Sequence, residues 1–264
     1  MTVDFSALSA EVNRLAKQLF GKDTKKYANF TNRLLDICHR VQGKEFLLIH
    51  NPGGWGGTPI EHCMRWERSI VEGVSDTIKR LGHSALLIQY FRSGTGWWSH
   101  IPDIKDQARF FLKGKSHKVD LMATELKFIV EYIKDLKVIL IGVSQGAAFG
   151  DAVMLKLGDS HQIYSIELGM PFFYKSRRVV TDKMLAIDSN GLMPDALMEW
   201  DILTALKAFS ASPFRWVKYR LQGKRIKIGH CINLPGHDYN WEYPEVRQQI
   251  GDFLEINFGT KSNL

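Results

Sequence analysis

Gly142-Val143-Ser144-Gln145-Gly146 sets a hydroxyl between two glycines at G-x-S-x-G spacing. Before it, Val138-Ile139-Leu140-Ile141 is a short apolar, β-branched run of the kind that forms a buried parallel strand. After it, Gln145 to Leu155 carries small residues and then an apolar helical period. A serine caught between strand and helix must turn sharply, and a Cβ at either glycine would clash with the neighbouring elements. Such a turn exposes the hydroxyl at the carboxyl end of a strand, beside a helix N-terminus that favours negative charge. The chemistry this suits is nucleophilic attack on a carbonyl.

A serine hydroxyl is a weak nucleophile until a base takes its proton. Of nine histidines, His237 has the position for that task. It lies in Leu234-Pro235-Gly236-His237-Asp238, late in the chain, after a strand-like run and before an apolar-periodic helix. The order serine, acid, histidine is that of one family of triads. Asp238 is too close along the chain to fold back onto the ring as its orienting acid. Charge developing on the carbonyl oxygen needs preset donors. The Gln145 amide is one candidate. The loop His50-Asn51-Pro52-Gly53-Gly54-Trp55-Gly56-Gly57 offers the others: Gly53, Gly54 or Trp55 N–H, or the Asn51 side-chain amide, Pro52 having no N–H. A second glycine-rich turn, Arg92-Ser93-Gly94-Thr95-Gly96, lacks the lysine of a phosphate-binding loop.

Positioning these groups requires a sheet whose strand ends share one edge. The patterning predicts helices over 5–20 and 24–41, then strands alternating with helices. Strands are expected at 46–50, 84–90, 137–141, 162–168, 184–188 and 225–234. Helices are expected at 61–81, 118–134, 145–155, 195–209 and 242–258. This alternation predicts an α/β fold with a mostly parallel central sheet and helices on both faces. Ligands of such sheets bind at the carboxyl edge.

The chain has 264 residues, 45% of them hydrophobic, enough for one core. A single domain over 1–264 is expected, with 1–41 as a helical extension packed on it. No run approaches a membrane span, the first residues lack the pattern of a signal peptide, and the three cysteines are widely spaced without C-x-x-C. A cytoplasmic location is expected, with no metal and no cofactor. The formal charge is +7. Residues 215–227 hold six basic residues, no acidic ones, and Trp216 and Tyr219. That stretch is available for contact with an anionic surface; no nucleic-acid motif accompanies it.

From Glu45 to Phe258 these features resemble the α/β-hydrolase superfamily. The elbow at Ser144, the His-x-x-Gly-Gly loop at 50–54, the Arg92-Ser-Gly-Thr-Gly turn and the terminal Pro-Gly-His-Asp element with Trp241 carry the resemblance. It implies an acidic residue after the strand at 184–188, in Asp188-Ser189-Asn190-Gly191-Leu192-Met193-Pro194-Asp195. Lipase-like members often carry D-G-x-V-P there, and aligned on Gly191 and Pro194 that aspartate falls on Asn190. Asparagine would orient the histidine without stabilising an imidazolium. Asp188, at the strand end, is therefore the expected acid; Asn190 and Asp195 are the alternatives, and Glu167 lies further off.

The expected function is hydrolysis of a carboxylic ester or thioester through an acyl-enzyme. Ser144, His237 and Asp188 form the triad, and Gln145 N–H with the 51–55 loop holds the oxyanion. Aromatic stretches at 97–98, 172–174 and 209–221, expected outside the regular helices, suggest an apolar acyl group. The rival expectations are a non-catalytic binding or scaffold protein on the same fold, and an acyltransferase.

Overall fold

A computed structural model describes residues 5–54, 56–93, 110, 116–175, 178, 180–198, 202–223 and 234–259. Two helices lead, α1 (Phe5–Phe20) and α2 (Thr24–Arg40). Then come β1 (Phe46–Asn51), a 3-10 turn (Ile60–His62), α3 (Arg65–Arg80), β2 (Ala85–Gln89), α4 (His117–Tyr132) and β3 (Lys137–Val143). The chain continues through α5 (Gln145–Leu157), β4 (Ile163–Leu168), a one-turn α6 (Phe172–Lys175) and β5 (Met184–Ile187). It closes with α7 (Ile202–Leu221) and α8 (Pro244–Phe258). The five strands pair in the order β2-β1-β3-β4-β5, all parallel.

Each strand sends alternate side chains to opposite faces. Leu47 and Ile49 of β1 join Val138 and Leu140 of β3 in one apolar layer. There α1, α2, α4 and α5 cover them, with Leu8, Leu34, Leu126 and Val153 among the buried contacts. Phe46 and Leu48 join Ile139, Ile141 and Val143 in the other, covered by Ile70 and Val74 of α3 and Val246, Ile250 and Leu254 of α8. Burial on both faces explains why these strands read as continuous apolar runs. The first two helices are thus part of a core layer, their Val12, Ala16, Phe30 and Cys38 fully enclosed.

Helix α3 begins later than expected, because Cys63 and Met64 are extended (ψ 165° and 144°). The helix expected at 195–209 lies instead at Ile202–Leu221 and runs through Pro213. Residues 209–221, expected outside the regular helices, are therefore helical. The proline removes one backbone donor, and the surrounding turns carry the helix past it. The strand expected at 225–234, Cys231 and the Trp97-Trp98 pair lie outside the described residues.

Candidate active site

Val143 ends β3 and Gln145 begins α5, leaving Ser144 alone to make the reversal. Its backbone sits at φ 53°, ψ −120°, the single non-glycine positive φ among the described residues. L-residues enter that region at a cost of roughly 1–3 kcal/mol. The surroundings impose it: Ser144 N donates to Leu168 O at 2.8 Å, tying the elbow to the end of β4. The flanking glycines are required by close approach. A Cβ on Gly142 would lie 2.5 Å from Gly146 O, and one on Gly146 would lie 2.1 Å from Asn51 O. Strand, strained serine and helix stand together at the carboxyl edge of a parallel sheet. The architecture is a parallel α/β sheet with helices packed on both faces.

His237 reaches the same edge from the far end of the chain. Gly169 follows Leu168 at φ 58°, and a Cβ there would lie 3.0 Å from His237 Cε1 and 2.6 Å from Tyr239. The glycine thus lets the imidazole settle one residue from the carbonyl that holds Ser144. Trp66 of α3 meets the His237 ring edge-on at 6.4 Å. Trp241 packs into the space that Gly73 leaves on α3, and its amide donates to Ser69 Oγ at 3.2 Å. The loop bearing His237 is therefore braced along α3.

The partner of His237 is Asp195. Nδ1 of the ring lies 2.7 Å from Asp195 Oδ2. The same oxygen accepts from Tyr239 Oη at 2.7 Å, and Oδ1 accepts from Leu197 N at 2.8 Å. Burial pushes this carboxyl up, but the His237 hydrogen bond and charge, Tyr239 and Leu197 more than offset that and hold it below the usual aspartate value. The Tyr239 hydroxyl is pushed up by its own burial and by the carboxylate, so it stays a donor. Asp188, the acid expected at the strand end, is engaged elsewhere: both its oxygens accept from Arg178 Nη1, at 2.8 and 2.9 Å. Asn190 builds the turn. Its Oδ1 accepts from Leu192 N and Met193 N, and its Nδ2 donates to Asp238 O and Oδ1. Ala196 N donates to Pro235 O at 3.1 Å, which laces the Asp195 turn to the His237 loop. Spacing from the strand could not choose among the three candidates, because the turn at 188–195 decides which side chain returns to the edge. Tyr239 carried no signal beyond lying two residues after His237.

The loop after β1 is shaped by two buried charged residues. Gln89 Nε2 donates to His50 Nδ1, leaving His50 Nε2–H to donate to Glu67 Oε1 at 3.0 Å. Glu67 Oε1 also accepts from Gly53 N at 2.9 Å. Arg92 donates to the carbonyls of Pro52, of Gly54 at 2.9 Å and of Gln145 at 3.3 Å. Burial lowers the Arg92 guanidinium to about 10, against the opposing pull of Glu67 and Tyr90, so it remains a cation at neutral pH. These contacts turn three carbonyls inward. Of the loop amides proposed as donors, Gly53 is already committed to Glu67. Gly54 N makes no hydrogen bond among the described residues, and Gln145 N is one of the helix-start amides without an intrahelical partner. The Asn51 side chain is fully buried and lies 3.9 Å from where a Gly150 Cβ would stand, directed at α5. Trp55 lies outside the described residues. His50, Cys63 and Glu67 bring metal-ligand atom types within 4.8 Å of one another. Both imidazole nitrogens and Glu67 Oε1 already have partners, so the trio braces the loop.

Beneath the elbow, Glu167 pairs in register with Gly142 and is fully buried. Its Oε1 accepts from Ser165 Oγ at 2.9 Å, while Arg178 stands nearer Asp188 than Glu167, whose Oε2 lies 3.5 Å from Nε. Burial above all, with Asp151 and Asp188 adding, raises this carboxyl to about 8 against Arg178 and Ser165. The folded state therefore holds a proton that the unfolded chain releases near pH 4.5. The stabilisation is complete below that value and is lost as pH rises to about 8. Glu167→Gln should melt close to the wild type at pH 5 and above it at pH 8.5, by an amount on the order of a few kcal/mol. Equal melting temperatures at both pH values would show that the fold does not raise the Glu167 carboxyl.

No family model matches the chain, and no curated protein matches its sequence. Among solved structures, a Trichoderma reesei cutinase in complex with a phosphonate inhibitor is similar over 93% of this chain and 99% of that one, at 12% identity and a TM-score of 0.45. Among the described residues, no helix is long and apolar enough to cross a membrane.

Proposed function

We propose that the protein is a serine hydrolase that cleaves carboxylic esters or thioesters with apolar acyl groups. The observation that carries this reading is the strained Ser144 elbow on the same sheet edge as a His237–Asp195 pair. Ser144 Oγ attacks the carbonyl carbon while His237 Nε2 takes its proton. Asp195 holds the ring through Nδ1 and stabilises the imidazolium. The Gln145 amide, with Gly54 as its partner from the β1 loop, receives the negative oxygen. The imidazolium then protonates the leaving alcohol or thiol. Water, activated by the same histidine, attacks the acyl-enzyme and restores Ser144. The steps need no metal and no organic cofactor.

Labelling with a fluorophosphonate and peptide mapping by mass spectrometry tests this. One adduct per chain, on the peptide containing Ser144, is the expected result. A folded protein that takes no adduct would favour the binding-protein alternative on the same fold.

A further inference from the structure

Helix α7 turns large apolar side chains to solvent. Ala208 and Ser212, two small residues four apart, face inward and are buried. Leu203, Phe214 and Leu221, three large apolar residues, are 71%, 79% and 84% exposed, and Val217 is half exposed. At 3.6 residues per turn, Leu203, Lys207, Phe214, Val217 and Leu221 fall within about 40° of one line along the helix. The outward stripe is apolar from Phe214 through Val217 to Leu221, and the exposed Lys207 and Ser210 separate that run from Leu203. Lys207 lies on it, Lys218 beside it and Arg220 further round, while Arg215 completes four cations on a helix with no acidic residue. Arg220 also stands 5.2 Å from the Trp216 ring, a contact that keeps its charge near an aromatic edge. The chain places this helix between Asp195 and His237, so its exposed stripe belongs to the same chain segment that completes the acid–base pair.

We propose that the outer face of α7 docks on an anionic phospholipid surface, with the Leu203–Phe214–Leu221 stripe entering the acyl boundary and Lys207, Lys218 and Arg220 meeting headgroup phosphates. A stripe of large apolar side chains flanked by cations alone fits a surface that is oily and negatively charged. A second copy of this chain would place the same four cations against one another across a two-fold axis, so the charge argues for lipid over self-association.

The test is co-sedimentation of the full chain with vesicles of phosphatidylcholine, and of phosphatidylcholine with 30% phosphatidylglycerol (about one lipid in three, a mixture that supplies the anionic headgroups the helix requires). Partitioning at least tenfold stronger onto the anionic vesicles is expected. Phe214→Ser with Leu221→Ser should reduce it at least tenfold on both. Lys207→Ser with Lys218→Ser and Arg220→Ser should bring the two vesicle types to equal, weak binding. All these positions are exposed, and circular dichroism melting confirms that each variant folds. No binding by the wild type, or equal binding to both vesicle types, would overturn the proposal. So would a dimer in analytical ultracentrifugation that Phe214→Ser with Leu221→Ser dissociates while vesicles are ignored. Binding requires no reactive serine, so failure here and failure of the fluorophosphonate test are separate results.

Discussion

Ser144→Gly should destroy catalysis and raise the melting temperature. The two effects come from one feature. At φ 53° the serine occupies backbone space that costs an L-residue roughly 1–3 kcal/mol, whereas glycine enters it freely. Glycine also loses more conformational entropy on folding, about 0.5–1 kcal/mol, which offsets part of the gain. A net increase of about 1 kcal/mol is expected, or some 2–4 °C for a chain of this size. With Ser144 as the proposed nucleophile, its removal should lower kcat by about 10⁶, as in serine hydrolases where the triad acts as a unit. Ser144→Ala separates the two parts. It removes the same hydroxyl but keeps the Cβ and its strain, so it should be as inactive as the glycine variant and melt with the wild type. If alanine and glycine melt alike, the elbow stores no strain and the tight turn has another cause. If either variant keeps wild-type hydrolysis, Ser144 is not the nucleophile.

Much of the site was legible because it depends on local rules. The elbow needs glycines at fixed offsets from the serine, since Gly142 and Gly146 face backbone atoms at 2.5 and 2.1 Å. Strands β1 and β3 were legible because they are buried on both faces and read as apolar runs. What failed was contact between distant segments. Asp188 has the better strand-end position, but Arg178 holds it, and that pairing is invisible until β4 and β5 are side by side. Asp195 is brought back by a turn whose hydrogen bonds run from Asn190 to its own neighbours and to Asp238. Gly53 has the composition of an oxyanion donor, yet Glu67, fourteen residues on, takes its amide. The extent of α7 was not legible either, the helix lying at Ile202–Leu221 and running through Pro213.

Asp195→Asn should lower kcat by about 10⁴ with little change in KM, the loss seen when a triad aspartate becomes asparagine. The geometry gives the reason in this protein. Every group at the Asp195 carboxylate is a donor: Leu197 N at Oδ1, and His237 Nδ1 and Tyr239 Oη at Oδ2. An asparagine must put its NH₂ in place of one oxygen. At Oδ2 it would face the tyrosine hydroxyl and force the imidazole into the tautomer that presents N–H to the serine. At Oδ1 it would face the Leu197 amide and open the turn that carries the side chain. In both orientations the negative charge that stabilises the imidazolium is gone. Asp188→Asn is the control. Its carboxylate is partly exposed and serves Arg178, so the variant should lose stability, roughly 1–3 kcal/mol, while kcat stays within about tenfold. Steady-state kinetics on a soluble ester, together with melting curves for both variants, decide the matter. A larger loss of kcat in Asp188→Asn than in Asp195→Asn would return the acid to the strand end and leave the observed His237 pair a resting arrangement.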